Sequence, residues 1–409
     1  MRPIVEEALA AFRVVVVTGQ RQSGKTTLVR QVLGETGTLA RLDEEAVLQA
    51  ALADPAGFVS YGPTPRAFDE VQRAGDPLIR AIKAAVDTDP SPGQFLLDGS
   101  ADFLTVPTIS ESLAGRAAFF ELWPFSQGEL GEGPDGFLRR ALDDPASFRS
   151  GPASNLTTVD YLERLCVGGF PEVTQLPEAA RNSWFRNYVR TVTQRDIKEL
   201  TGARKAAQLP KVLSLLAARS AGEMVVSHVH DDVQLGSRET TEDYIGYLQM
   251  AYLVHLLPAW SRNLTTRITR HPKVYLSDTG LAAHILGRKP AALTRPDDPA
   301  RGSLIETFVV NELVKQLGWS GDDIHVHHLR DRNGAEIDVV IETNDGRVVA
   351  LEIKAASSVN GADAKWLTWL RDKLGDDFVH GFVLYTGERP WSMGERITAA
   401  PISYLWSVD

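Results

Sequence analysis

The sequence predicts an α/β protein of several domains, headed by a parallel sheet that carries a phosphate-binding loop. Three observations lead there. A β-branched strand at Arg13 to Val17 runs straight into Gly19-Gln20-Arg21-Gln22-Ser23-Gly24-Lys25-Thr26, a complete GxxxxGK(S/T) P-loop that opens a helix. The 409 residues suffice for two to four domains at about 100 to 200 residues each. Hydrophobic residues at 43% and charged residues at 23% fit packed globular domains and exclude a disordered chain and a membrane bundle.

Composition narrows the setting. The apolar run Val14 to Val17 is far too short to span a membrane, and Glu6 and Glu7 stand where the apolar part of a signal peptide would begin. Cys166 is the sole cysteine, so no internal disulfide or multi-cysteine zinc site forms, as expected of a cytoplasmic chain; a buried apolar role suits it. The net charge of -10 excludes a protein that coats nucleic acid over its whole surface but leaves room for a local basic face.

In the P-loop, backbone N–H groups converge on one centre and the helix from Thr27 to Leu33 adds its positive end, a cup suited to a triphosphate. Lys25 is expected to reach the β- and γ-phosphates and Thr26 to hold Mg²⁺. A second carboxylate for the metal and a group to polarise water belong at another strand end. Phe68-Asp69-Glu70-Val71 supplies both, Asp69 on the metal side and Glu70 on the water. A third strand, Gln94 to Leu97, ends at Asp98-Gly99-Ser100, where a polar side chain such as Ser100 is placed to sense the γ-phosphate.

These stretches, with Asp69-Glu70-Val71-Gln72-Arg73 and Ser112-Leu113-Ala114-Gly115-Arg116, resemble the prokaryotic AAA-type ATPases that carry a C-terminal domain of unknown function, DUF4143. The resemblance runs through almost the whole chain. It implies ATP as ligand, an ASCE-type parallel sheet with the acidic strand beside the P-loop strand, and Arg116 either as a stabiliser of developing charge or as a plain salt-bridge partner. Asp98 departs from the family, which commonly has Thr there; a carboxylate so placed repels a γ-phosphate unless metal or arginine pairs with it.

Residues 131 to 158 are rich in Gly, Pro, Ser and Asp and read as a connector at a domain boundary. Helical spacing follows at Tyr161 to Val167 and Asn182 to Leu200, resembling the family's helical lid. Arg186, Arg190, Arg195 and Lys198 form a basic stripe on the second helix, solvated or touching phosphate. Three helices at Leu209 to Leu216, Val225 to Val233 and Ser237 to Leu248, then strands at Tyr252 to Leu257 and Lys273 to Leu276, make a winged helix. Its third helix carries Arg238 against Glu239, Glu242 and Asp243, poor chemistry for a DNA groove. A DNA contact would fall instead to the wing, through Arg262, Arg267, Arg270 and Lys273; the other reading is a protein-packing module.

From Ser303 onward ten basic residues face 17 acidic ones, and some of these acids are ordered. Glu306 lies on a helix, Glu336-Ile337-Asp338 opens a strand, Asn344-Asp345-Gly346 turns the chain, and the return strand ends in Glu352-Ile353-Lys354. Asp338 and Glu352, with Glu306, are expected to hold Mg²⁺ and Lys354 to activate water. The set resembles the PD-(D/E)XK nuclease superfamily, which implies a restriction-endonuclease-like α/β domain, either an active nuclease or an inactive fold used for binding. His325, His327 and His328 are read as solvated strand residues, and Trp366 and Trp369 as packing residues. The expected domains are a P-loop ATPase core (1–130), connector and lid (131–204), winged helix (205–302) and nuclease-like domain (303–409). Two functions follow: an ATPase coupled to a nuclease-like domain acting on DNA, or a STAND-like nucleotide-switched regulator that engages a protein partner.

Overall fold

In the structure, a computed structural model that describes residues 1–99, 112–131, 133–197, 206–263, 267, 270–321, 323–331 and 334–407, with backbone alone at 195, 196 and 206, Val14–Gly19 forms a central strand, β1. All six of its residues are buried. Four strands join it in parallel: β2 (Thr38–Arg41), β3 (Arg66–Asp69), β4 (Phe95–Asp98) and β5 (Ala117–Leu122), in the order β2-β3-β4-β1-β5. Strand alternation sends Val15 and Val17 to a core with Val5, Leu9, Leu28 and Val29 of the helices Arg2–Ala11 and Lys25–Leu33. Val14 and Val16 go to the opposite core, with Leu78, Ile79 and Ile82 of Gly75–Thr88. Burial on both faces is why β1 reads as an unbroken β-branched run.

One expectation is corrected here. The acidic strand β3 does not lie beside the P-loop strand; β4 stands between them, pairing with β1 (Val17 opposite Asp98) and with β3 (Phe68 opposite Leu97). Each strand's apolar pattern is local, whereas strand order follows from long crossovers. The parallel order brings Gly19, Asp69 and Asp98 to one edge of the sheet, where ligands of open α/β sheets bind.

The described residues divide into two compact units, one of 1–124 with 250–252 and one of 125–249 with 253–409. The break after Pro124 precedes the boundary expected at 130, and the segment read as a loose connector is packed inside the second unit. Its helix Phe137–Asp143 and the 3-10 turn Pro145–Ser150 bury Phe137 and Phe148 against Phe382, with ring centroids 5.0 to 5.4 Å apart. Composition misled because a few aromatic side chains anchor an otherwise polar stretch.

Asp135 is buried in the same segment and accepts a hydrogen bond from Ser126. Burial raises its pKa to about 6, against the Ser126 bond and with Glu312 and Glu129 adding repulsion. The native state therefore keeps a proton that the unfolded chain has released, and stability present at low pH is lost as pH rises through 6. Asp135→Asn is expected to remove that loss, so urea midpoints should favour the variant by up to about 3 kcal/mol more at pH 7 than at pH 4.

The rest of the second unit begins with helices Thr158–Val167 and Glu178–Thr191. Helices Leu209–Ala218, Val226–Val233 and Arg238–Met250 follow, with a small sheet of β6 (Gly222–Glu223), β7 (Val254–Leu257) and β8 (Lys273–Leu276) ordered β6-β8-β7. A 22-residue helix, Pro299–Ser320, leads into a six-stranded sheet. Its strands are β9 (Ile324–Arg330), β10 (Glu336–Thr343), β11 (Val348–Lys354), β12 (Phe378–Tyr385), β13 (Trp391–Gly394) and β14 (Ile397–Pro401), ordered β13-β14-β12-β11-β10-β9. Helix Lys365–Leu374 covers one face through Leu367 and Leu370, and Trp366 and Trp369 pack there as expected. Among the described residues no helix is long and apolar enough to cross a membrane.

Candidate functional site

At the carboxyl edge of the first sheet the P-loop closes on itself. Gly19 has φ +143°, and a Cβ there would fall 2.2 Å from the Leu122 carbonyl oxygen, so no larger residue fits. Lys25 is buried, and its Nζ donates to the carbonyls of Gly19 (3.2 Å) and Gln20 (3.0 Å). Thr26 Oγ1 donates to Asp69 Oδ2 at 3.2 Å and lies 3.4 Å from Asp98 Oδ2. The side chains of Gln20 and Ser23 are buried without a hydrogen-bond partner among the described residues. Unmet polar groups of this kind, around a helix N-terminus with no acid in its first turn, are what an anion-binding cradle presents. Arg21, Gln22 and Thr27 are exposed at its rim, and Gly24 sits left-handed at φ +101° where the helix begins.

Glu70 follows β3 in the left-handed region at φ +57°, a conformation that costs a non-glycine residue about 1 to 2 kcal/mol. Gln72 Nε2 donates to its Oε2 at 2.5 Å. Asp98 is buried, and its pKa is raised well above the ordinary carboxylate range by burial and by Asp69 and Glu70, against the pull of Lys25. Ser100 lies outside the described residues.

Arg116 is not at this edge. It precedes β5, whose Ala117 pairs with Val14 at the start of β1, so it stands at the amino edge of the sheet. There its Nε binds Asp87 Oδ1 at 2.5 Å. The salt-bridge reading holds for Arg116 within this chain, and the charge-stabilising one is withdrawn, because five residues of strand separate it from Gly19.

Sequence reasoning missed Tyr252. It belongs to the first unit although 128 residues separate it from Pro124. Its hydroxyl donates to Thr18 Oγ1 (3.1 Å), beside the first P-loop glycine, and its ring meets Trp123 edge-on at 6.0 Å. Nothing local in the sequence marks it.

In the second unit the hairpin expected at 344–346 forms, and Asp338 comes beside the end of β11, its Oδ2 accepting the Ile353 N–H at 2.8 Å. Glu306 reaches the same place from the long helix. Glu352 binds Lys354 at 2.8 Å, and burial raises its pKa to about 8 with Asp338 adding repulsion. The four expected residues thus assemble, but around an unexpected cation. Lys273 Nζ stands 2.8 Å from Glu306, 3.5 Å from Asp338 and 3.5 Å from Glu336. Burial opposes its charge, but these three carboxylates more than offset that and raise its pKa. Tyr275 adds a hydrogen bond to the same Glu306 oxygen at 2.8 Å.

This arrangement does not fit a bound Mg²⁺, because an ammonium already fills the convergence of the carboxylates. With Lys273 in place, no group of three or more His, Cys, Asp or Glu among the described residues is arranged to hold a metal.

It also corrects the wing. Lys273, 1% exposed, is buried and cannot reach a DNA backbone. Arg267 pairs with Glu342 at 2.8 Å, Arg262 with Asp377, and Arg270 donates to the Arg330 carbonyl at 2.8 Å. The acids that engage Arg267 and Arg262 lie 75 and 115 residues further along the chain, so the segment looked unopposed when read by itself. His327 and His328 are likewise buried rather than solvated, with pKa values lowered to about 4 by burial; His325 is exposed and meets Asn344.

A buried strand, a P-loop and an acidic strand end on one parallel sheet define a P-loop nucleotide-binding fold, and residues 11–131 match the family model described as an AAA domain. Residues 301–405 match the domain of unknown function DUF4143, and residues 158–292 another, DUF8612. The chain therefore carries an AAA domain at its N-terminus and DUF4143 at its C-terminus. Uncharacterized proteins of Mycobacterium tuberculosis and Mycobacterium bovis are each 28% identical to it over 424 aligned positions, covering 98% of this chain and 82% of theirs. Among solved structures, a variant of Thermotoga maritima RuvB overlaps 63% of this chain and 87% of its own, at 17% identity and a TM-score of 0.28. A STAND protein with a tetratricopeptide repeat sensor from Pyrococcus horikoshii overlaps 78% of this chain and 49% of its own, at 10% identity and a TM-score of 0.25.

Proposed function

We propose that the first unit binds ATP with Mg²⁺ and hydrolyses it, and that this cycle switches the second unit, a regulatory module that engages a protein partner. The observation that carries the reading is the Thr26 hydroxyl set between Asp69 and Asp98, next to buried Lys25 and the unpartnered Gln20 and Ser23. ATP rather than another triphosphate follows from the AAA domain match.

The P-loop N–H groups and the helix end hold the phosphates, and Lys25 exchanges its bonds to Gly19 and Gln20 for β- and γ-phosphate oxygens. Thr26 and Asp69 would hold Mg²⁺, which would supply positive charge at the phosphates. Glu70 orients a water and draws its proton. Burial, Asp69 and Glu70 push the Asp98 carboxyl well above the ordinary carboxylate range against the pull of Lys25, which lessens the charge it sets against a phosphate at the position that Thr holds in the family. Measuring Mg²⁺-dependent ATP hydrolysis by wild type and Lys25→Ala tests the assignment; equal rates exclude it.

In the second unit, helices Thr158–Val167 and Glu178–Thr191 are read as a lid. The next three helices with the β6-β8-β7 sheet are read as a winged helix, and the six-stranded sheet as a restriction-endonuclease-like fold. Docking is favoured over DNA cleavage because Lys273 fills the carboxylate cluster and the wing arginines are engaged by the chain's own groups. Metal-dependent cleavage of single-stranded, duplex or branched DNA, lost in Asp338→Ala and Lys354→Ala, is the result that would reverse this choice.

A further inference from the structure

We propose that Lys273 takes the seat of a divalent cation among Glu306, Glu336 and Asp338, so that an internal ammonium fastens the β7–β8 hairpin to the C-terminal sheet and keeps this cluster metal-free. The proposal is independent of the ATPase reading.

Geometry carries it. Three carboxylates from two elements, the helix Pro299–Ser320 and strand β10, converge on one nitrogen at 2.8, 3.5 and 3.5 Å. The strand that delivers it is built for the purpose. Lys273 and Tyr275 are two residues apart on β8, hence on one face, and both bind the same oxygen of Glu306. The Lys273 side chain is 2% exposed, so it is a packed part of the interior rather than a surface chain that happens to bend inward.

The remaining charges are arranged consistently. Asp338 turns its second oxygen to the Ile353 N–H, and Glu352 is matched by Lys354, which also lies 3.9 Å from Asp363. Carboxylates gathered this closely demand a cation. A divalent ion and an ammonium compete for the seat, since like charges a few ångströms apart repel and the Glu306 and Asp338 side chains are only 16% and 12% exposed, although Glu336 is 41% exposed. Lys273 therefore excludes the metal, and removing its charge leaves acids that converge with no cation between them.

The test is Mn²⁺ titration of the full chain without nucleotide, followed by the electron paramagnetic resonance of free Mn²⁺. Asp69→Asn is included throughout to silence the P-loop. With Lys273 present no ion should bind at up to millimolar Mn²⁺. Lys273→Ala should bind about one ion per chain, and adding Asp338→Asn should abolish that binding. An ion bound with Lys273 in place and lost on Asp338→Asn overturns the proposal, and so does a Lys273→Ala chain that is folded by circular dichroism yet binds none. Lys273→Met, which keeps the aliphatic stem, serves if Lys273→Ala does not fold. If neither folds, the titration with Lys273 present decides alone, silence supporting the proposal and an Asp338-dependent ion overturning it.

Discussion

Glu70→Gln is expected to slow ATP hydrolysis by at least about 100-fold while leaving nucleotide binding within a few-fold of wild type. Removing a positioned general base typically costs 10² to 10⁴ in rate. Glu70, left-handed at φ +57°, directly follows the strand end that places Asp69 beside Thr26. The amide preserves shape and can still meet Gln72, but it cannot draw a proton from water. Lys25→Ala should differ in kind: its loss falls on binding as well as rate, because Lys25 is the buried cation of the cradle. Single-turnover hydrolysis beside equilibrium binding of a fluorescent ATP analogue separates the two. Unchanged turnover in Glu70→Gln would remove Glu70 from the mechanism.

Phe148→Ala is expected to destabilise the second unit by about 3 to 5 kcal/mol, the usual cost of deleting a fully buried phenyl ring. Phe148 is 0% exposed and packs against Phe137 and Phe382 at 5.2 and 5.0 Å, with the Arg140 guanidinium 5.5 Å from the ring centroid. Phe12 in the first unit, 44% exposed, is the matched control, and Phe12→Ala should change stability by no more than about 0.5 kcal/mol. Urea unfolding followed by tryptophan fluorescence reports both. Equal, small effects would mean that 131–158 is the loose connector its composition suggests.

Much of the phosphate chemistry was legible because it is local. A strand, a glycine loop and the start of a helix follow one another between Val14 and Leu33, each betrayed by its own residues. The C-terminal acids were legible for a related reason: a hairpin turn and a period of two are enough to place Asp338 by Glu352. Asp98 was found but the upward push on its pKa was not, since that depends on burial beside Asp69. Tyr252 and the packed connector gave no signal, their partners being more than a hundred residues away.

By itself, then, the sequence determined the P-loop, the Asp69-Glu70 pair and the carboxylates of the last strands, features whose chemistry and periodicity close within a few residues. Only the tertiary structure decided that β4 separates the acidic strand from the P-loop strand, that Arg116 stands at the far edge of the sheet, and that Lys273 sits among the acids it was expected to lie apart from. The physical reason is the same in each case. Strand order and the pairing of buried charges are settled by which distant segments can be packed together with their polar groups satisfied. Lys273 meets partners 33 and 65 residues downstream, a separation at which residue pattern carries no information about contact.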